Sequence, residues 1–149
     1  MKRAGIFLFF DPQGIVDDYV VQCLTSLREY LDEILVVSNS PLDDTARERL
    51  LTGATEVFER ENTGFDVGGY RDGIARFGWE RLGQFDELIL FNYTFFAPIH
   101  PWKNIFDRID AAGAIDFWGL LPHAPPHPVP LDRGAQPAAQ LPGLPHVLG

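Results

Sequence analysis

Residues 61–73 combine groups that can bind phosphates and sugars. They hold four of the chain's 14 glycines, three carboxylates and one arginine. Glycine lets a backbone turn sharply and approach a ligand closely, and the free N–H groups at a helix start bind anions. Because a β-like run precedes this segment and a helical pattern follows it, close packing of a helix on a sheet fits equally well. The Gly-x3-Gly-Gly spacing matches neither the dinucleotide fingerprint nor the P-loop.

Five short runs predict the β-strands that would position this segment. The run at residues 4–10 has no polar alternation, which is typical of a strand covered on both faces in a parallel sheet. The run at residues 88–91 is the most apolar, so we expect it at the centre of the sheet. The predicted strands cover residues 4–10, 33–37, 56–59, 88–91 and 116–121.

Helical patterns separate these strands. We expect Asp17 to cap the first helix, and Ser40 to cap the second with Asp43 at its third position. A third helix should run from the glycine segment to about residue 81, and a fourth should begin near residue 101. Strands that alternate with helices through short links indicate an α/β domain with a mostly parallel, Rossmann-like sheet.

The composition changes at residue 122. We expect residues 1–121 to form one α/β domain and residues 122–149 to form a proline-rich, poorly structured tail, since eight of the twelve prolines lie there. His123 and His127 are four residues apart, but a proline-rich segment does not supply the fixed geometry of a metal site. We therefore expect no metal site in the tail.

Charge and composition exclude several classes of function. A net charge of −9 argues against a nucleic-acid binder and against polybasic attachment to anionic lipid. A single cysteine, Cys23, leaves no disulfide framework or zinc spacing. His100 precedes a helix-opening proline, so no Ser-His-Asp arrangement is indicated. No apolar run is long enough to span a membrane, and we expect a cytoplasmic protein.

Polar residues follow the predicted strands. Ligands of parallel sheets bind beyond the carboxyl ends of the strands, although each of these residues also fits a cap or a turn. Carboxylates and amides suit a base and ribose, and Arg60 or Arg71 suits a phosphate. The set therefore predicts a nucleotide or sugar-nucleotide site. Its members are Asp11, Ser38, Asn39, Arg60, Asn62, Asn92 and Thr94.

Several of these segments resemble the rhamnan synthesis F family, in order and over residues 5–120. They are residues 9–14, 38–39, 60–73, 85–90, 96–98 and 116–119. Family members are associated with rhamnose-containing bacterial cell-surface polysaccharides and are similar to glycosyltransferases of the GT-A type. In that wider class an Asn-x-Gly segment that opens a helix lies against the sugar nucleotide. Asn62 and Gly64 match this segment.

The resemblance implies an NDP-sugar-binding domain, with dTDP-rhamnose as the suggested donor. It further implies a saccharide or lipid-linked saccharide as the acceptor, and a location in the cytoplasm or at the inner face of the membrane. The nucleoside would contact Asp11, Asn39 and Asn62. The diphosphate or sugar would contact the glycine-bearing helix start and Arg71. Asn92 and Thr94 would take the metal and diphosphate position. The implied substrate-binding residues are Asp11, Ser38, Asn39, Arg60, Asn62, Gly64, Asp66, Gly68, Arg71, Asn92 and Thr94.

The sequence departs from the family pattern at the expected metal motif. Glycosyltransferases of this type place an acidic motif after the central strand, and here the segment reads Asn92-Tyr93-Thr94 without a carboxylate. Tyrosine does not replace a carboxylate as a ligand for hard cations. Either Asp66 or Asp86 helps to hold Mg2+ or Mn2+, or the site is metal-free or inactive.

The second departure is the missing acceptor half, which suggests a truncated, frame-shifted or split enzyme. These departures support a second hypothesis, a non-catalytic sugar-nucleotide-binding or assembly module. A dinucleotide-dependent redox domain is a third, weaker hypothesis, because no Gly-x-Gly-x-x-Gly follows the first strand.

Overall fold

The computed structural model describes residues 1–113, 115–121 and 146–147. The chain divides after Arg108 into two units, which we describe separately. The strands are β1 (Arg3–Phe9), β2 (Glu33–Ser38), β3 (Glu56–Glu59), β4 (Glu87–Asn92), β5 (Leu120–Leu121) and β6 (His146–Val147). The helices are α1 (Asp18–Leu27), α2 (Asp44–Leu51), α3 (Phe65–Phe77), α4 (Trp79–Leu82) and α5 (Lys103–Ala112).

The first unit is built on a four-stranded parallel sheet in the order β3-β2-β1-β4. Phe9 pairs with Ser38, and Ser38 pairs with Glu59. On the other side of β1, Leu8 pairs with Asn92. All four carboxyl ends therefore meet at one edge of the sheet. This arrangement confirms the predicted α/β class with a parallel, Rossmann-like sheet.

Strand β4 does not lie at the centre of the sheet as predicted. It pairs only with β1 among the described strands, and Leu90 is 46% exposed. The central positions belong to β1 and β2, which are buried along nearly their whole length. The apolar character of β4 has another cause, which is packing against neighbouring side chains. Leu88 contacts the core cluster that contains Ile6 and Leu8, and the Phe91 ring packs against Phe7.

Helix α3 lies unusually close to the sheet because it carries glycines on its inner face. A Cβ atom added to Gly69 would lie 2.3 Å from Leu8 Cδ1, and one added to Gly73 would lie 2.9 Å from Ile6 Cγ2. No side chain fits at these distances without a shift of the neighbour. Two of the four glycines in the segment thus serve helix packing.

The capping of the first two helices differs from the prediction. Asp17 is the N-cap residue of α1, but its side chain makes no capping hydrogen bond. Asp43, and not Ser40, caps α2, because its carboxylate accepts a 2.7 Å hydrogen bond from Ala46 N. Ser40 instead accepts a hydrogen bond from Asp11 N through its hydroxyl oxygen, so its side chain faces the end of β1.

Helix α3 ends at Phe77 and does not continue to residue 81. Gly78 has a positive φ of 73°, a conformation that leaves the right-handed helix and favours glycine. Its N–H still donates to Ile74 O, which closes the helix. The four-residue helix α4 then follows.

Aromatic packing holds the start of α5 within the first unit. Trp102 is buried, and its indole N–H donates to Ser26 Oγ at the end of α1 over 2.8 Å. The Phe106 ring stacks on Tyr30, with the centroids 4.7 Å apart. The helix predicted near residue 101 is therefore confirmed. Among the described residues, no helix has both the length and the apolarity that a membrane span requires.

The second unit contains the antiparallel pair β5 and β6. The strand predicted over residues 116–121 is thus limited to its last two residues. Asp116 and Gly119 belong to residue types that are depleted in strands, which accounts for the shorter element. The predicted tail lies outside the described residues apart from β6, and so do His123 and His127.

Candidate functional site

The carboxyl edge of the sheet collects most of the predicted site residues. Neighbouring strands lie about 4.8 Å apart, so the four strand ends span roughly 15 Å from β3 to β4. The polar side chains form two groups there. The first, the Arg60 cluster, consists of Asn39, Arg60, Thr63 and Asp72. The second, the Asp66 corner, consists of Asp66, Asn92 and Thr94.

The Arg60 cluster is a closed hydrogen-bond network. The guanidinium of Arg60 is only 6% exposed and donates from all three nitrogens. Nε donates to Asp72 Oδ2 over 2.7 Å, and Nη1 donates to Asn39 Oδ1 over 2.6 Å. Nη2 donates to Thr63 O over 2.6 Å and to Thr63 Oγ1 over 3.2 Å. The cluster therefore ties the ends of β2 and β3 to α3.

This geometry favours a positioning role for Arg60 over phosphate contact, because protein acceptors occupy its donors. Arg71 lies on the surface with a side chain that is 75% exposed, and it pairs with Asp72 over 2.8 Å. Hydrogen bonds from Arg71 and Arg60 lower the pKa of the Asp72 carboxyl. Arg71 is thus the arginine that a phosphate could reach. The predicted phosphate contact of either residue stays a prediction.

The turn that leads into α3 has an unusual backbone. Gly64 has a φ of 73° and Phe65 a φ of 48°. A left-handed conformation costs a residue with a side chain about 1–2 kcal/mol, and the Phe65 ring recovers little by packing because it is 75% exposed. A Cβ atom on Gly68 would lie 2.3 Å from Thr63 O. Gly64 and Gly68 thus shape the turn, which presents Phe65 outward.

The Asp66 corner joins the start of α3 to the end of β4. Asn92 Nδ2 donates to Asp66 Oδ2 over 3.3 Å, and Thr94 Oγ1 donates to Asn92 Oδ1 over 2.7 Å. Within the described part of the chain, no cation pairs with Asp66. Burial, together with the Asp66 charge, raises the pKa of Tyr70 to about 12. The corner therefore carries an exposed carboxylate, which lies in the first turn of α3 and has no ion-pair partner among the described residues.

Other predicted site residues make local contacts. Asp11 Oδ1 accepts hydrogen bonds from Gln13 N and Ile15 N, each over 2.9 Å, and so shapes the turn after β1. Ser38 is fully buried and donates to Ser40 O over 2.8 Å. Asn62 is exposed, and its side chain makes no hydrogen bond to the described residues. Asn62 is therefore free to meet a ligand, whereas Ser38 is not.

Asp86, the second carboxylate considered for a metal, lies at the opposite edge of the sheet. It accepts a 2.7 Å hydrogen bond from Lys2 N, just before β1 begins. Asp66 is thus the carboxylate that stands beside Asn92. In the residues that the structure describes, no group of three or more His, Cys, Asp or Glu side chains is placed to hold a metal ion.

Sequence reasoning missed four residues at this edge. Thr63 and Asp72 complete the Arg60 cluster, and Phe65 and Phe95 are the exposed residues next to Asp66 and Thr94 in the chain. Asp72 lay within the glycine segment, but no local pattern pairs it with an arginine twelve residues earlier. For the two phenylalanines, the sequence offered one weak indication of a place at the site. Phe65 directly precedes Asp66, and Phe95 directly follows Thr94.

The chain is similar to a known family and to an uncharacterized relative. The chain is 31% identical over 104 residues to the uncharacterized protein y4gN of Sinorhizobium fredii (strain NBRC 101917 / NGR234). This match covers 70% of the chain but only 27% of that relative. No solved structure matches the chain. The pattern of the family described as rhamnan synthesis protein F matches residues 34–132, which include the Arg60 cluster and the Asp66 corner. The chain therefore belongs to the rhamnan synthesis protein F family.

Proposed function

We propose that this chain binds a nucleoside-diphosphate sugar as the donor-binding domain of a glycosyltransferase, with dTDP-rhamnose as the suggested donor. One observation carries the proposal. The exposed Arg71 lies further along α3 and pairs with Asp72 of the Arg60 cluster, whereas the exposed Asn62 and the start of α3 closely follow the carboxyl end of β3. This is where open α/β sheets bind nucleotides. Family membership supports a sugar nucleotide in particular.

The chemistry of the edge supports separate roles along the ligand. The Asn62 amide can donate to and accept from a base or ribose. Asp11 uses Oδ1 for its turn, so Oδ2 can accept a ribose hydroxyl. Arg71 is the proposed diphosphate contact, since a guanidinium binds phosphate oxygens in pairs. Asn39 and Arg60 stabilise this surface through the hydrogen bond between them.

Thermal unfolding with added nucleotide tests the proposal. At a hundredfold excess over Kd, dTDP should stabilise the folded chain by about 2.7 kcal/mol, which raises the Tm by several degrees. Asn62→Ala should remove this rise without lowering the Tm of the free protein, because the side chain is exposed and makes no hydrogen bond to the described residues.

Asn104→Ala is the matched control. Asn104 is also exposed, but it lies in the first turn of α5. The preceding Trp102 contacts the end of α1, at the opposite edge of the sheet. This variant should keep the full nucleotide shift. If neither dTDP nor any other nucleoside diphosphate shifts the Tm of the natural chain, the proposed function is wrong.

The expected Mg2+ or Mn2+ stays a prediction, and the described residues do not assemble a protein-held site for it. Hard divalent cations need several oxygen ligands, whereas the Asp66 corner offers one carboxylate, and that carboxylate accepts from Asn92. We therefore derive no step through a metal. Binding of the donor in this scheme depends on Arg71 and on backbone N–H groups.

A binding or assembly module without turnover is the second candidate. The absence of a carboxylate from residues 92–94 favours it, since glycosyl transfer needs stabilisation of the departing diphosphate. Measurement of donor hydrolysis and transfer with divalent metal present separates the two. Turnover that is lost in Arg71→Ala would support the transferase, and nucleotide binding without turnover would support the module.

A further inference from the structure

Strand β4 is an outer strand of the parallel sheet. It pairs with β1 on one side, and no other described strand pairs with it on the other. Leu90, in the middle of the strand, is 46% exposed, although β1 and β2 are almost fully buried. An edge strand presents unpaired N–H and C=O groups that can pair with a strand of another chain. The open side of β4 is therefore a candidate interaction surface.

The outer strand at the opposite side of the sheet, β3, has features that discourage such pairing. It has only four residues, and its two carboxylates, Glu56 and Glu59, both pair with arginines. Short length and charged side chains protect sheet edges from other chains. Strand β4 is longer, and its residues 88–92 include no charged residue and no proline. Its one acid, Glu87, stands at the first position and pairs with Arg3 over 2.6 Å. The charges that protect β3 are thus missing from the open side of β4.

The hydrogen bonds to β1 show which backbone groups of β4 point outward. Glu87 N donates to Lys2 O over 3.3 Å at the start of the strand. Tyr93 N donates to Leu8 O over 3.1 Å just after its end. Alternate residues of a strand direct their N–H and C=O groups to the same neighbour, so the odd-numbered residues bond to β1. The residues whose backbone groups point to the open side are Leu88, Leu90 and Asn92.

This set of outward groups is complementary to itself. A two-fold axis that passes beside Leu90, perpendicular to the sheet, places a second β4 antiparallel to the first. Leu90 then forms a hydrogen-bonded pair with Leu90 of the second copy, and Leu88 pairs with Asn92 on either side. Every outward N–H and C=O group gains a partner. Glu87 faces Tyr93 of the second copy, so no like charges stand directly opposite each other.

We propose that two copies of this chain associate through their β4 strands, which pair antiparallel about Leu90 into one continuous sheet. Directly opposed side chains of paired strands lie on the same face, so the two exposed Leu90 side chains meet. A single strand pair is small for a protein interface, and we expect a dissociation constant no tighter than micromolar. The carboxyl ends of the two β4 strands point in opposite directions. The association therefore leaves both donor sites open and is independent of the proposed function.

Sedimentation velocity of the 149-residue chain over a range of concentrations tests the association. The natural chain should form a dimer as its concentration rises. Leu90→Lys places two ammonium groups opposite each other, and it should weaken the dimer roughly tenfold or more. Leu51→Lys is the matched control, because Leu51 is 44% exposed but lies on α2. This variant should dimerise like the natural chain.

A disulfide tests the register of the two strands. The Cα atoms of a hydrogen-bonded antiparallel pair are about 5.5 Å apart, within the range that a disulfide spans. Mild oxidation should therefore link Leu90→Cys into a covalent dimer. Leu88→Cys should not cross-link, because the proposed register holds its two copies about 14 Å apart. The natural Cys23 is buried and should not react. The cysteine variants also decide the question if Leu90→Lys does not fold.

Several results would overturn the proposal. They are a natural chain that stays monomeric up to millimolar concentration, a dimer that both lysine variants affect equally, and a dimer that Leu90→Cys does not cross-link. Equal cross-linking of the two cysteine variants would also count against the register. Hydrogen exchange identifies a competing occupant of the open side. If the amides of Leu88, Leu90 and Asn92 are protected in a monomer, a segment of the same chain covers β4, and the proposed association is wrong.

Discussion

The Arg60 cluster and the Asp66 corner occupy the same edge of one sheet but differ in how they meet solvent. In the cluster, the arginine is 6% exposed and each of its nitrogens donates to a protein oxygen. In the corner, Asp66 accepts one 3.3 Å hydrogen bond and has no cationic partner among the described residues. The residues next to Asp66 and Thr94 in the chain, Phe65 and Phe95, are also exposed.

This difference distinguishes residues that stabilise the fold from residues that are accessible to a ligand. A charged side chain that is buried and fully paired holds elements together, and its loss leaves partners without hydrogen bonds. An exposed carboxylate without an ion-pair partner adds little to folding, and it remains available to a ligand. Residue type alone does not distinguish the two, because both groups combine acidic and amide side chains.

The largest expected effect is that of Arg60→Ala on stability. The change removes the donor of Asn39 Oδ1 and one of the two arginines that pair with Asp72, and it frees the turn at Thr63. We therefore expect a loss of about 2–4 kcal/mol in the free energy of unfolding. Urea denaturation measures it. Arg71→Ala removes the same charge from a surface position, and it should change stability by no more than about 0.5 kcal/mol. Equal losses in the two variants would contradict the distinction between cluster and surface.

Gly69→Ala should have the next largest effect. Alanine usually stabilises an open helix relative to glycine by about 1 kcal/mol, but here its Cβ would meet Leu8 Cδ1 at 2.3 Å. We expect a net destabilisation of about 1–3 kcal/mol from overpacking. Leu8→Val removes the clashing methyl group. The double variant should therefore lose less than the sum of the two single losses, and strict additivity would argue against the contact.

The pH dependence of stability should report on Asp72. Hydrogen bonds from Arg71 and Arg60 lower the pKa of this carboxyl in the folded state. Its contribution is therefore present above the unfolded pKa of about 3.9, and it is lost as the pH falls towards the folded pKa. Urea unfolding at a series of pH values should show a shallower acid decline in Asp72→Asn. Asp44→Asn, which removes an exposed carboxylate from α2, should keep the natural decline.

Thr94→Ala should have the smallest effect on stability. Its hydroxyl donates to Asn92 at an exposed position, and exposed substitutions usually change stability by less than about 0.5 kcal/mol. Thermal unfolding should therefore show the same Tm for this variant and for the natural chain. A stability loss comparable with that of Arg60→Ala would show that the corner, like the cluster, is structural.

The sequence predicted the strand-helix alternation well because it depends on local patterns. The four strands of the first unit appear where apolar runs predicted them, and a helix begins directly after the turn at Gly64. The errors lie where local signals compete. Asp43 and Ser40 both belong to residue types that favour the N-cap. The choice between them depends on where the helix begins, and in the structure α2 begins at Asp44.

The candidate site was predictable only as a set of strand ends. Parallel strands bring their carboxyl ends to one edge, so Asn39, Arg60, Asn62 and Asn92 could be grouped from topology alone. Their separate roles depend on distances across the chain. Arg60 is twelve residues from Asp72 and 21 from Asn39, and such separations leave no local trace in a sequence.

The sequence by itself determined the α/β class, the glycine-bearing turn and the family resemblance, because these follow from periodicity, residue type and motif. Only the tertiary structure decided what the glycine segment does. Gly69 and Gly73 let α3 approach the sheet, whereas Gly64 and Gly68 shape a turn that exposes Phe65. The physical reason is that burial and hydrogen bonding depend on which residues folding brings together. Distant partners bury Arg60, whereas Arg71 stays exposed on the surface.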